Sequence, residues 1–271
     1  MIDSKVFAEL QNRGIITVVG LNPADFNSID ELINLGLVTQ ISGKDVYESL
    51  MKNNDTLADI TAKFLADIAA GGNVVVPCDL SFNTPIEITG DVTIDLNGHT
   101  LTNTPWDEDG ESNAYVFWVK GGKLTLTGNG TVHAADAHYS MAVWANGGNV
   151  EINGGTYKNG GDSCDLIYAS KKGSIVIKDG SFVAAGPASG TEPGTNNPYS
   201  ALNIKDKDKK TCTISVEGGK FYKFNPADNL SENPKMNFVA DGYESVQDGD
   251  WFVVRETEEI VVDDTIPQDV E

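Results

Sequence analysis

Arginine is nearly absent: Arg13 and Arg255 are the only two in 271 residues. Basic residues of either kind number 19 against 40 acidic ones, leaving a formal net charge of −21. Such a surface repels phosphate backbones and anionic headgroups, so neither nucleic acid nor a membrane surface is expected as a partner. No apolar run approaches the ~20 residues that span a bilayer, so no transmembrane segment is expected. The opening MIDSKVFAELQNRG lacks a basic run followed by an apolar stretch and does not read as a signal peptide. Cysteine is scarce as well. Cys78, Cys164 and Cys212 are odd in number and widely spaced, which suggests neither a disulfide framework nor a metal site. Buried free thiols, made in a reducing cytoplasm, are the expectation. Histidine is limited to His99, His133 and His138, and no pair has the spacing of a zinc site. No metal and no cofactor is expected.

What is present divides the chain in two. Hydrophobic residues make up 40%, enough for one large core with or without a smaller partner. The first seventy or so residues read as helical. Candidate helices cover 4–13, 28–36 (Ser28 as N-cap with Glu31 at the capping-box spacing, Gly36 as stop) and 42–53. The clearest runs from 56 to 70: Leu57, Ile60, Thr61, Phe64, Leu65 and Ile68 fall on one helical face, Asp55 or Thr56 can cap it, and Gly71-Gly72 ends it.

From Gly72 the period becomes two. Alternating segments, each closed by a glycine turn, start at Val92, Lys123, Asn149, Ser174 and Thr213, and their shared glycines are Gly98, Gly130, Gly155, Gly180 and Gly219. A repeat near 25 residues with tolerated insertions is the mark of a solenoid. One insertion, 186–198, reads as a protruding loop. The apolar parity (Val92/Ile94/Leu96, Leu124/Leu126, Val150/Ile152, Ile175/Ile177, Ile214/Val216) should point inward and stack from repeat to repeat. Leu101, Val132, Tyr157, Phe182 and Phe221 follow the turns and should re-enter the core. A second register, Phe117/Val119, Val143/Ala145, Ile167/Ala169 and Leu202/Ile204, should form another internal stack. The fold class that follows is mainly β, a right-handed parallel β-helix preceded by a small helical N-terminal region. The expected organisation is 1–55 helical attachment module, 56–71 capping helix, 72–225 β-helix, 226–256 C-terminal coil or strand pair, and 257–271 mobile acidic tail. The stretch 71–101 resembles the first coils of pectin-lyase-like β-helix proteins.

Candidate chemistry is thin. Polysaccharide hydrolysis needs two carboxylates across a bond. The nearest candidates are Asp162 and Asp165 in a glycine-rich corner, with Asp95, Asp136, His133 and His138, and no matching acidic pair stands at the same register of adjacent repeats. A lyase would need a basic catalytic group, and both arginines lie outside the repeats. No catalytic residue is assigned, and the chain is not expected to be an enzyme. The most informative feature is a ladder: Trp118, Trp144, Tyr168 and Asn203 occupy equivalent places on four successive repeats. On the same parity lie Val116, Ala142, Leu166 and Ala201, which would extend an exposed apolar stripe. Three readings stand open: an interface between copies of the chain, a glycan-binding strip, or core residues displaced by a register of one.

A short helical module ahead of a small acidic β-helix resembles the head-fibre and capsid-decorating proteins of crAss-like bacteriophages and related phages of gut Bacteroidales. The resemblance is carried by 34–40 (NLGLVTQ), the repeats 72–225 and the ending 233–255. It implies a virion structural protein on the capsid surface, assembled in the host bacterial cytoplasm. It further implies docking on capsid or other virion proteins through the N-terminal module, and a homo-oligomer, trimer or dimer, with host-surface or mucosal glycans as further partners. No catalytic residue carries over. A carbohydrate-binding adhesin is the alternative, and a polysaccharide-degrading β-helix enzyme a more distant one.

Overall fold

In the computed structural model the described residues are 56–108, 110–160, 165–185, 200–228 and 236–258, together with Phe7, Leu10, Glu31 and Leu32. The expected helix over 42–53, the loop 186–198, most of the acidic tail, Asp162 and Cys164 lie outside them. So do most of 4–13 and 28–36, although Phe7, Leu10, Glu31 and Leu32 are helical. Phe7, Leu10 and Leu32 are buried in the same hydrophobic cluster as the rest of the core.

The helix expected over 56–70 spans Leu57–Ala70 (α1). Thr56 caps it. Its hydroxyl accepts from the Asp59 backbone N–H at 3.2 Å, and the Asp59 carboxylate accepts from the Thr56 N–H at 2.9 Å, a complete capping box. The Thr56 hydrogen bonds hold the Asp59 carboxyl below the usual carboxylate range. Gly71, at φ 81, closes the last turn by donating to the Asp67 and Ile68 carbonyls. The buried stripe is Ile60, Phe64 and Ile68. Leu65, expected on that face, is 38% exposed. The contact is one i, i+4, i+8 line wide, and Leu65 lies beside it. Phe64 meets the Phe82 ring at 6.3 Å, which seats the helix on the first strands.

The chain beyond α1 is mainly β, in long parallel sheets. The strands up to the first aromatic pair are β1 (Gly72–Val75), β2 (Leu80–Phe82), β3 (Ile86–Ile88), β4 (Val92–Asp95), β5 (Thr100–Asn103), β6 (Trp106–Glu108) and β7 (Glu111–Val119). The middle of the chain supplies β8 (Lys123–Thr127), β9 (Thr131–Asp136), β10 (Tyr139–Asn146), β11 (Asn149–Gly160), β12 (Ile167–Ser170) and β13 (Ser174–Val183). The last are β14 (Leu202–Ile204), β15 (Thr213–Val216), β16 (Gly219–Tyr222), β17 (Tyr243–Asp248) and β18 (Trp251–Glu256).

Pairing arranges these strands into three parallel ladders. The first joins β1, β4, β8, β11, β13 and β15. The second joins β2, β5, β9, β11, β13 and β16. The third joins β3, β7, β10, β12 and β14. Strands β11 and β13 serve both of the first two ladders, with register shifts near the glycines between their halves. The inward parity is as the alternation predicts: Val92, Ile94, Leu124, Leu126, Val150, Ile152, Ile175, Ile177, Ile214 and Val216 are all buried. Leu101, Val132, Tyr157, Phe182 and Phe221 are wholly buried, and so are the second-register residues from Phe117 to Leu202. Tyr157 stacks on Phe182 at 5.1 Å, and Phe182 on Phe221 at 4.6 Å. The buried Tyr157 hydroxyl donates to the Gly154 carbonyl at 2.9 Å, and burial pushes its pKa upward. Cys78 and Cys212 are buried and neither is in a disulfide.

At the C-terminal end the open choice resolves as a strand pair. β18 runs antiparallel to β16 and β17 antiparallel to β18, while Val239 makes one parallel bridge to Val216. No helix among the described residues is long and apolar enough to cross a membrane.

Candidate functional site

The third ladder carries the aromatic strip. Its register aligns Glu87, Trp118, Trp144, Tyr168 and Asn203 on five neighbouring strands. All four ladder residues named from the sequence are half-buried, and Phe117, Val143, Ile167 and Leu202 beside them are in the core. The strip therefore lies on the outer side of the ladder, with part of each ring covered.

What covers the rings is the strip itself. Trp118 and Trp144 stack with centroids 5.2 Å apart and planes within 6°. Tyr168 leans on Trp144 at 6.2 Å, and Tyr115 meets Trp144 edge-on at 5.1 Å. Lys120 Nζ stands 3.8 Å from the centre of the Trp118 ring, held there by an ion pair with Glu87. Trp144 Nε1 donates to the Ser170 hydroxyl at 2.8 Å, and that hydroxyl donates to the Asn146 side chain at 3.0 Å. Trp118 Nε1 is buried and has no hydrogen-bond partner. The Trp118 and Trp144 rings thus meet neighbouring groups of the same chain.

The expected extension of the stripe is corrected. Val116 and Leu166 are core residues, 1% and 0% exposed, as are Ala142 and Ala201. Strict alternation fails here because the pairing skips a step: Met141 faces Tyr115 and Val143 faces Phe117, with no regular pair between Val116 and Ala142. Leu166 shows why. Its carbonyl accepts from both the Ala142 and Val143 N–H groups, so the chain bends there and two successive side chains turn inward. The bend also delivers two aromatics that the alternation did not single out. Tyr115 lies on the far side of it, and Trp106 arrives on β6, antiparallel to β7, to meet Tyr115 edge-on at 5.2 Å. The aromatic content of 106–118 was the available signal. The antiparallel return that joins them has none at period two.

The residues considered for hydrolysis are dispersed. Asp95 Oδ1 accepts from the Asn97 N–H at 2.9 Å in a turn. His133 lies on β9 between Thr102 and Lys158, and burial with the nearby Lys158 lowers its pKa. His138 Nε2 is 3.6 Å from Glu111, and His99 Nδ1 is 3.4 Å from Asp79. Asp136 and Asp165 are described, Asp162 is not. Among the described residues no three His, Cys, Asp or Glu side chains gather as a metal site would require. The strongest charge constellation is outward on the first ladder. Glu151 bridges Lys123 at 2.7 Å and Lys178 at 3.2 Å and accepts from Asn153 at 3.0 Å. The Lys123 hydrogen bond first, then those from Asn153 and Lys178, lower the Glu151 pKa to about 2. This is a cross-strand clasp between repeats, with every partner accounted for. Among known proteins, no family model, curated protein or solved structure matches the chain.

Proposed function

We propose that the chain is a non-enzymatic virion structural protein, a phage head fibre or capsid decoration. In this reading the three ladders wind as a right-handed parallel β-helix, and the chain docks on capsid or other virion proteins through its N-terminal module, 1–55. Copies associate as a trimer or dimer through the Trp118/Trp144/Tyr168/Asn203 strip.

The observation that carries the reading is the strip itself: four register-aligned, half-buried residues on the outer side of the third ladder. Trp118 and Trp144 already stack on each other and Lys120 stands over the Trp118 ring, which disfavours a sugar lying flat on them. The half-buried aromatic residues suit packing against the same strip of another copy. The acidic composition argues against nucleic acid and anionic membranes. A soluble binding protein of another kind, a carbohydrate adhesin, is the second reading, and a groove between the first and second ladders favours it.

The virion assignment is tested on particles of a phage that encodes the chain. Gold-labelled antibody against residues 72–258 should decorate the capsid surface of intact virions. Particles lacking the protein should rebind the full chain. Labelling confined to host lysate, with none on particles, would overturn the assignment.

A further inference from the structure

From β4 onward the chain turns through glycines between the first and second ladders, and the surface there is concave. Gly128 and Gly130, Gly154 and Gly155, Gly180, and Gly218 and Gly219 form the floor. The opening measures about 860 Å³, within the range of ligand sites. One side carries Thr156, Ser181 and Lys220, which are register partners on β11, β13 and β16. Thr156 and Ser181 stand at the spacing of adjacent strands, about 4.8 Å, and the same register continues to Thr131 and Thr100 beyond the lining. The other side carries Asn153, Lys178 and Glu217. The β17–β18 hairpin closes one end with Tyr243, Val253 and Glu256.

The chemistry of this lining selects a ligand class. Both lysines are engaged: Lys178 with Glu151 at 3.2 Å, and Lys220 at 5.0 Å from the centre of the Trp251 ring. The remaining charges are the carboxylates of Asp179, Glu217 and Glu256, so an anionic polymer would be repelled. An apolar peptide would find glycine backbone, hydroxyls and an amide instead of side-chain pockets. Hydroxyls, an amide and carboxylate acceptors repeated along a line match a chain that itself repeats hydroxyl groups. The glycines contribute only backbone to the floor; a Cβ at Gly130, Gly154, Gly155 or Gly218 would meet the protein's own atoms, the farthest at 2.9 Å, so they also let successive turns approach each other.

We propose that this groove binds a neutral oligosaccharide in an extended conformation, lying across the repeats from Gly128 to Gly219. The proposal rests on the reading of the chain as a binder and not an enzyme, and the site is separate from the aromatic strip.

The test uses the full chain and uncharged probes: cellohexaose, chitohexaose, xylohexaose and mannohexaose, each titrated by calorimetry and by amide NMR. At least one should bind and shift the Thr156, Ser181 and Gly219 amides. Ser181→Arg fills the groove from a half-exposed strand position, and Thr156→Lys does so one strand away. Each should fold as wild type by circular dichroism and lose binding, while Trp118→Phe, on the other ladder, should retain it. Absence of binding by all four probes, or binding unchanged in both groove variants, would overturn the proposal. Recovered probe is sized by chromatography. Shortened sugar that depends on the groove would keep the site and overturn the non-enzymatic reading, which separates the two failures.

Discussion

At the residue scale, the positions that matter most are those where a side chain has a job between repeats. Glu151 is the clearest. It ties Lys123 of the preceding strand and Lys178 of the following one to its own. Its pKa falls from an ordinary 4.5 to about 2 on folding. A depressed carboxylate contributes stability that is fully present above the unfolded pKa and is lost as pH drops through the folded one. The expected contribution is therefore constant above about pH 4.5 and fades toward pH 2. Its size is on the order of 2 kcal/mol, allowing for solvent screening. Urea midpoints of wild type and Glu151→Gln measured across this range should converge as the pH approaches 2. A gap that persists unchanged to the acid end of the range would show that Glu151 acts through packing instead. Gly122 has a different job. It sits at φ 61, and a Cβ there would fall 2.4 Å from the Gly90 backbone, so the turn between two repeats admits no larger residue.

At the element scale, most of the strand layout was legible in the sequence because period-two alternation and turn glycines recur at each repeat. Val143, Ile167 and Leu202 each open an alternating apolar run ahead of a glycine turn, and the strands pair in that alignment. The helix α1 was legible from its 3.6 period and its cap. What failed did so where a local rule breaks. Val116 and Leu166 sit at a bend that sends two consecutive residues inward, and no feature of composition marks it. The antiparallel strands β6, β17 and β18 depart from the repeat, so a repeat-based alignment could not place them. The internal stack Tyr157–Phe182–Phe221 links three strands of the second ladder, and its middle ring touches both others. Phe182→Ala should cost about 3–5 kcal/mol by chemical denaturation. Leu65→Ala, at a side chain 38% exposed on α1, should stay within about 0.5 kcal/mol of wild type in that assay. Equal costs at the two sites would contradict the assignment of core and surface.

At the scale of the whole molecule, the two ends are handled differently. α1 covers the first strands with Ile60, Phe64 and Ile68, and the β17–β18 hairpin adds antiparallel to β16, the last strand of the second ladder. Stacked parallel strands leave open edges that invite further strands, and covering such edges turns association toward the lateral faces. The third ladder offers such a face in the aromatic strip. The candidate strip was legible as four residues at one register. The internal consumption of its ring planes was not, because that depends on side-chain orientation across strands and on the Lys120–Glu87 pair.

The central claim is that this strip joins copies of the chain. The direct measurement is solution mass by light scattering on wild type, on Trp144→Asp in the middle of the strip, and on Asn203→Arg at its end, with circular dichroism to establish that each is folded. The account predicts a wild-type dimer or trimer and a folded monomer for at least one variant. A folded wild-type monomer, or an oligomer that both folded variants leave intact, would contradict it.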